Sequence, residues 1–169
     1  MKQNKINKKF IYLISPNKIK KKSFYTDLAL VLSFGNISFF QLRLKRETSL
    51  NKLIIGRKIK IICKKYKVKF LINDDPLLAK KLNADGCHLG QKDMDIVEAR
   101  KILKNKIIGI TCHNSKKLAK KAIENSADYL AFGAFYPTQT KKIEHYADIK
   151  ILNWSKKNVK KPVVAIGGI

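Results

Sequence analysis

Acidic residues are scarce in this chain: 12 Asp and Glu stand against 37 Lys and Arg in 169 residues, a formal net charge of +25. Cysteine is scarcer still. Cys63, Cys87 and Cys112 form no CxxC pair and leave an odd count, which argues against a disulfide framework and against a zinc site. No apolar run approaches the ~20 residues that a membrane-spanning helix needs. Met1 to Lys9 is basic like the start of a secretion signal, but the apolar run behind it, Phe10 to Ile14, is too short to complete one. No low-complexity linker interrupts the chain, so residues 1–169 read as a single domain, expected to be soluble and cytoplasmic.

The charge excess by itself points to nucleic acid or an anionic membrane surface. Its distribution argues otherwise. The basic residues are mostly Lys, spread over the whole length and accompanied by many Ile and Asn, the triplet that an AT-rich genome writes at loosely constrained surface positions. A nucleic-acid groove needs Arg or aromatic residues interleaved with the Lys to stack on bases, and that pattern is missing. The expected partners are therefore small molecules, with no nucleic acid and no membrane, and self-association into a homo-oligomer is left open. The acids are less evenly placed. Six of the 12 (Asp74, Asp75, Asp85, Asp93, Asp95 and Glu98) fall in one short region, and a metal site is the simplest cause.

Within that region an apolar run followed at once by polar groups occurs twice: Val68 to Ile72 before Asn73 and Asp74, and Cys87 to Leu89 before Gln91 and Asp93. Pro76 opens a helical pattern between them, with Leu77, Leu78 and Leu82 at helical spacing. In a parallel strand–helix–strand unit both strands point the same way, which sets Asp74 and Asp93 on one rim. Two carboxylates on one rim can hold Mg²⁺, a hard cation commonly shared with substrate phosphates. The plainer alternative is that each Asp caps the helix that follows it.

The rest of the chain repeats the alternation. Strands are expected at Phe10–Ile14, Ile37–Leu42, Ile107–Ile110, Asp128–Gly133 and Pro162–Ile166. Helices are expected at Phe24–Leu32, Thr48–Tyr66, Ile96–Leu103, after Ser115, and at Ala147–Lys156. For the longest helix the expected buried side is Leu50, Leu53, Ile54, Ile61 and Ile62. Strict alternation means a parallel sheet, either open and doubly wound or closed into a (β/α)₈ TIM barrel. Polar clusters at nearly every strand end favour the barrel, whose sites are assembled from many strand ends on one face. That face would gather Arg43, Lys45, Asn73, Asp74, Gln91, Asp93, Thr111, the loop Thr138 to Lys141, and Gly167-Gly168. Cations, acids, hydroxyls and glycine amides together suit a phosphorylated or pyrophosphorylated substrate.

Seven ordered segments carry a more specific likeness: Gln41-Leu-Arg-Leu-Lys45, Ile72-Asn-Asp74, Ala84-Asp-Gly-Cys-His-Leu-Gly-Gln-Lys-Asp93, Gly109-Ile-Thr-Cys-His113, Ala127-Asp-Tyr129, Pro137-Thr-Gln-Thr-Lys141 and Val164-Ala-Ile-Gly-Gly-Ile169. In order and spacing they resemble the thiamine phosphate synthase family. The resemblance implies a Mg²⁺-dependent transferase on a (β/α)₈ barrel. It would join hydroxymethylpyrimidine pyrophosphate to hydroxyethylthiazole phosphate, releasing pyrophosphate and giving thiamine phosphate. It also implies residue roles. Asp74 and Asp93 match the Mg²⁺ ligands. Gln41, Arg43, Lys45, Asn73 and Lys141 match the groups that hold the pyrimidine and its pyrophosphate. Thr111 stands where the family usually has Ser, and Arg43, Lys45, Lys141 and Thr111 are the residues expected to carry catalysis. Thr138, Thr140 and Gly168 match contacts to the thiazole phosphate. Leu44 replaces the usual Glu, and strand alternation turns it away from Arg43 and Lys45. His88 is either packed or catalytic.

Two rivals remain. A thiazole tautomerase relative would share the barrel but lack the Gly-Gln-x-Asp motif, which Gly90-Gln-Lys-Asp93 keeps intact. An inactive, non-enzymatic remnant is the other. Seven strand-like runs are one short of a closed barrel, so the expectation is either a fragment of a longer protein or a site damaged on its thiazole side.

Overall fold

Five of the helices start where a short polar side chain takes up a backbone N–H that the helix leaves without a partner. Thr48 accepts from Asn51 N, Asp75 from Leu78 N, Asp95 from Val97 N, Ser115 from Leu118 N and Asp148 from Lys150 N. Pro76 sits in the first turn behind Asp75, where its fixed φ and missing N–H cost nothing. The computed structural model describes residues 9–138 and 143–169. Its elements run β1 (Ile11–Ile14), α1 (Phe24–Ser33), β2 (Ile37–Leu42), α2 (Ser49–Lys65), β3 (Lys69–Asn73), α3 (Pro76–Lys81), β4 (Gly86–Leu89), α4 (Ile96–Leu103), β5 (Ile107–His113), α5 (Lys116–Glu124), β6 (Tyr129–Phe132), α6 (Ile149–Asn158) and β7 (Val163–Ala165).

All seven strands are parallel and pair in chain order, β1 to β7. Alternation along them separates two buried layers. Phe40, Leu42, Phe70, Ile72, Cys87, Leu89, Ile108, Ile110, Leu130 and Phe132 join the helices in the outer core. Leu71, Tyr129, Ala131 and Val164 form the inner one, with Tyr12 and Phe39 packed against them. The Tyr12 and Tyr129 hydroxyls meet at 2.7 Å, so β1 faces β6 across the interior. The sheet is thus a nearly closed barrel. Its two edges are β1 and β7, which do not pair with each other among the described residues.

Glycines set two close approaches. A Cβ at Gly109 would lie 1.8 Å from Tyr129 Cζ, so only glycine leaves room for that ring inside the barrel. A Cβ at Gly56 would lie 2.5 Å from Leu82 Cδ1, which makes Gly56 the point where α2 rests on its neighbours. The expected face of α2 holds only in part: Leu53 and Ile62 pack partly buried against the outer core. The buried residues of α2 are Gly56, Ile59 and Cys63, whereas Leu50 and Ile61 are 65% and 71% exposed and Ile54 is exposed as well. The helix turns Ile59 toward the barrel together with its small residues Gly56 and Cys63. Leu77, Val97 and Ile149 are exposed for the same kind of reason: Pro76 with Ala79, Ile96 with Ala99, and Ile151 hold the inward faces of α3, α4 and α6.

The acid cluster also divides. Asp75 and Asp95 are helix caps, and Asp85 lies at the opposite end of the strands from Asp74. It accepts from Phe70 N at the start of β3 and pairs with Lys69 at 2.9 Å. Asp128 repeats this arrangement before β6, accepting from Ile108 N at 2.8 Å and from Arg100 Nη2 at 2.7 Å. Arg100 also donates to the carbonyls of Lys104, Lys106 and Ser126. The N-terminal end of the barrel is tied by these bonds, and the expected metal cause of the clustering does not extend to Asp75, Asp85 or Asp95.

Two outcomes follow for stability. Asp128→Ala strands the Ile108 N–H and takes from Arg100 its carboxylate partner while leaving its three carbonyl acceptors, and should cost about 1–3 kcal/mol in a denaturant titration. The three thiols are buried, and desolvation pushes each up to about 12 from 9.0. A pKa raised on folding gives stability that is fully present below the unfolded value and lost as pH climbs toward the folded one. The unfolding midpoint should therefore hold below about pH 9 and fall as the pH rises beyond it. Thiol-reactive dye should label the cysteines only on unfolding.

Candidate active site

Strand alternation sends every second residue into the barrel, and at the C-terminal ends those residues become polar. A cavity of about 590 Å³ opens there, and among its lining residues are Ser15, Gln41, Arg43, Asn73, Thr111 and Gly168. Thr138 also reaches it. A smaller cavity of about 310 Å³ lies alongside, lined by Lys45, Asn73 and Asp74 among others. Asn73 borders both, so the two are neighbouring parts of one site. Thr140 and Lys141 lie outside the described residues.

Arg43 follows β2 and is held from two directions. Its backbone N–H donates to Ser15 Oγ at 2.8 Å, and its guanidinium donates to Asn17 Oδ1. Burial lowers the guanidinium from its ordinary value, while the nearby Asp74 carboxylate acts the other way. Leu44 is buried in the outer core and does not line the cavity that Arg43 enters, but it borders the smaller one together with Lys45, so it is not turned from both cations as expected. Lys45 reaches Asp74 at 3.1 Å.

Asp74 directly follows β3 with a left-handed backbone, φ +64°, a conformation that Asp tolerates better than most residues. Its N–H donates to the carbonyl of His88 at 2.8 Å, which anchors it to β4. Asp93 comes from the loop after β4, where Gly90 N–H donates to Asp93 Oδ2 at 2.7 Å. Burial raises the Asp93 carboxyl above the usual range, and Asp74, in hydrogen-bond contact with it, raises it further; Gly90 N–H and Lys45 act in the opposite direction. The two carboxylates expected to meet do meet. Among the described residues no group of three or more His, Cys, Asp and Glu is placed to hold a metal, so the pair stands by itself. Gln91, expected at the rim, donates its amide to the Thr111 carbonyl at 2.6 Å and links the β4 loop to β5.

On the far side of the cavity Gly168 has φ +74°, and a Cβ there would fall 2.5 Å from the Tyr136 carbonyl. The Gly167 carbonyl accepts from Phe135 N and Tyr136 N, fastening the glycine turn to the loop that carries Thr138. His88 resolves between its two expected roles. It is buried, yet its ring lines the cavity and makes two hydrogen bonds, to Thr111 Oγ1 at 2.8 Å and to Tyr129 Oη at 2.7 Å.

Sequence reasoning did not find Ser15, Asn17, Tyr12 or Tyr129. Tyr129 falls in one of the segments that carry the family resemblance and Tyr12 in the first expected strand, but neither had a site role there. The signal for Tyr129 was its pairing with a glycine on the preceding strand, Gly109, since a ring that fits only over glycine has an assigned place.

The family model described as thiamine monophosphate synthase matches residues 11–169. A thiamine-phosphate synthase of Pelagibacter ubique is 75% identical over 169 residues, which is all of this chain and 82% of that protein. One from Rhodospirillum centenum is 41% identical over 94% of this chain and 77% of its own length. Among solved structures, the thiamine phosphate pyrophosphorylase of Pyrococcus furiosus superposes with a TM-score of 0.83 at 31% identity, covering 96% of this chain and 77% of that one. The chain belongs to the thiamine monophosphate synthase family, transferases of thiamine biosynthesis.

Proposed function

We propose that this chain condenses hydroxymethylpyrimidine pyrophosphate with hydroxyethylthiazole phosphate in the cytoplasm, using Mg²⁺ held by Asp74 and Asp93. The observation that carries this reading is the carboxylate pair beside Lys45, at the edge of a cavity containing Arg43, Asn73 and Thr111. The donor set suits Mg²⁺: two adjacent carboxylates that repel one another, all oxygen, with room for substrate phosphate and water to complete the shell. Bound there, the ion would draw charge from the departing pyrophosphate.

The chain's own groups do the rest. Arg43 and Lys45, with Lys141 from the resemblance, stabilise the negative charge that grows on the pyrophosphate oxygen as the methylene C–O bond breaks. The bonding pair leaves with pyrophosphate, and the thiazole nitrogen supplies the pair for the new C–N bond. Gln41 and Asn73 orient the pyrimidine substrate, and Thr111 gives a hydroxyl to the leaving group. Thr138, Thr140 and Gly168 seat the thiazole phosphate, the glycine by bringing backbone amides close where a side chain would collide. No protein nucleophile is called for, and the buried thiols, pushed up to about 12, would make poor ones. For the location, no helix among the described residues is long and apolar enough to cross a membrane.

Two variants test the metal pair. Asp93→Ala should lower turnover on the order of 10²-fold or more in a coupling assay, with circular dichroism unchanged. Normal turnover by the unaltered protein in excess chelator would overturn the assignment of Mg²⁺. Asp93→Asn should lose activity yet leave the metal-free protein as stable or more so, because it removes a charge that burial and Asp74 disfavour. The sign agrees with linkage: the raised carboxyl favours the metal-free fold at low pH and loses that contribution as pH rises through its folded value. A thermal melt of the variant without Mg²⁺ at neutral pH checks it.

A further inference from the structure

Five polar side chains run in an unbroken line through the barrel interior, from the wall of the cavity back to its mouth. Gln41 Nε2 donates to Tyr12 Oη at 2.8 Å, Tyr12 Oη meets Tyr129 Oη at 2.7 Å, Tyr129 Oη meets His88 Nδ1 at 2.7 Å, and His88 Nε2 meets Thr111 Oγ1 at 2.8 Å. Gln41, Tyr129 and His88 are 2%, 3% and 6% exposed, so bulk water does not supply alternative partners. Buried polar groups at such distances are hydrogen-bonded in a definite direction.

That direction can be worked out from one end. The Gln41 amide nitrogen only donates, so Tyr12 Oη must accept. Tyr12 has a single proton, and Tyr129 Oη is the hydroxyl placed to take it. Tyr129 then gives its own proton to His88 Nδ1. An accepting Nδ1 means a neutral imidazole with its proton on Nε2, and that N–H donates to Thr111 Oγ1. The Thr111 proton is left to turn toward the cavity that its side chain lines. Running the line backward would bring two donors onto Tyr12 Oη and strand its own proton in the interior, at a cost that native structures avoid. Burial raises both phenols well above their ordinary value, so each keeps the proton the line needs. The packing is committed to this arrangement, because Gly109 leaves its Cβ space to the Tyr129 ring.

We propose that Gln41, Tyr12, Tyr129 and His88 form a one-way hydrogen-bond relay that holds His88 as its Nε2–H tautomer and makes the Thr111 hydroxyl a donor to the anionic oxygen of the departing phosphate group. Tyr12, Tyr129 and His88 are positioning residues in this scheme, and Thr111 is the group that touches substrate. The last link rests on the transferase reading above; the tautomer does not.

Nitrogen-15 NMR of histidine-labelled protein without substrates reads the tautomer directly, with His88→Gln identifying the signals. The expected spectrum at neutral pH has Nδ1 of His88 unprotonated and Nε2 protonated. Gln41→Glu offers only acceptors to Tyr12 and should reverse the line, moving the proton to Nδ1. Tyr129→Phe removes the donor to Nδ1 and should give a mixture of tautomers. With Tyr129→Phe, kcat should fall roughly tenfold while KM for both substrates changes little, since a donor in the transition state is misdirected and binding is not. Thr111→Val, which has no hydroxyl, should lower kcat at least as far. Should Tyr129→Phe fail to fold, the spectrum of Gln41→Glu still reads the direction of the line. Nδ1 protonated in the unaltered protein, or a tautomer indifferent to Gln41→Glu, would overturn the relay. The expected tautomer in a protein that does not couple the two substrates would instead overturn the transferase reading and leave the relay standing.

Discussion

Everything at the mouth of this barrel depends on one parallel register, that between β3 and β4. Leu71 stands beside Gly86 and Asn73 beside His88. With that pairing fixed, Asp74 N–H finds the His88 carbonyl, and Asp74 leaves the strand in a left-handed turn that brings its carboxylate to Asp93. A slip of one residue would exchange the two faces of β3, burying Asn73 among the helices and turning Ile72 into the cavity. Two-sided burial forbids this. Phe70 and Ile72 are needed in the outer core and Leu71 in the inner one, so hydrophobic packing selects the register that the chemistry uses.

The order of elements and the residues at the strand tips could be read from the chain because both come from short-range patterns. Apolar runs alternated with helical ones, and polar groups followed the strands without a gap. What could not be read depends on proximity in space. The face of α2 was partly misjudged because apolar content was taken as burial, whereas a helix crossing a barrel at close range needs a small residue such as Gly56 at the crossing. Asp85 was grouped with Asp74 because they are near in sequence; α3 lies between them and carries the chain back to the opposite end of the strands. His88 looked ambiguous because its meaning lies in Tyr129 and Thr111, 41 and 23 residues away.

The +25 charge needs little further cause. Ion pairs such as Lys92–Glu144 and Lys150–Asp148 are exposed on both sides and contribute little to stability. A surface this basic does raise the local concentration of phosphorylated substrates, an effect that fades beyond roughly 10 Å at 0.1 M salt. Discrimination needs cations fixed in place. Arg43 is one, half-buried and anchored through Ser15 and Asn17, so it loses less freedom on binding a phosphate than a solvated Lys would.

The two ends of the barrel divide stability from function. At the N-terminal end, Asp85 and Asp128 each satisfy a backbone N–H and a cation together, with ordinary strand geometry beside them. At the C-terminal end sit the features that folding by itself would not select: Asp74 in a left-handed turn, an Asp93 carboxyl whose proton affinity is raised by burial and by Asp74, a half-buried guanidinium, and a glycine turn pressed against a neighbouring carbonyl. Keeping the Asp93 carboxyl and the Arg43 guanidinium charged costs the empty protein something. Repair of such a site toward higher stability, as with a neutral Asp93, therefore removes the repulsion that makes the pair receptive to a cation. A barrel can carry this conflict because its strands join the two ends rigidly, so the strain at one is held in place by the bonds at the other.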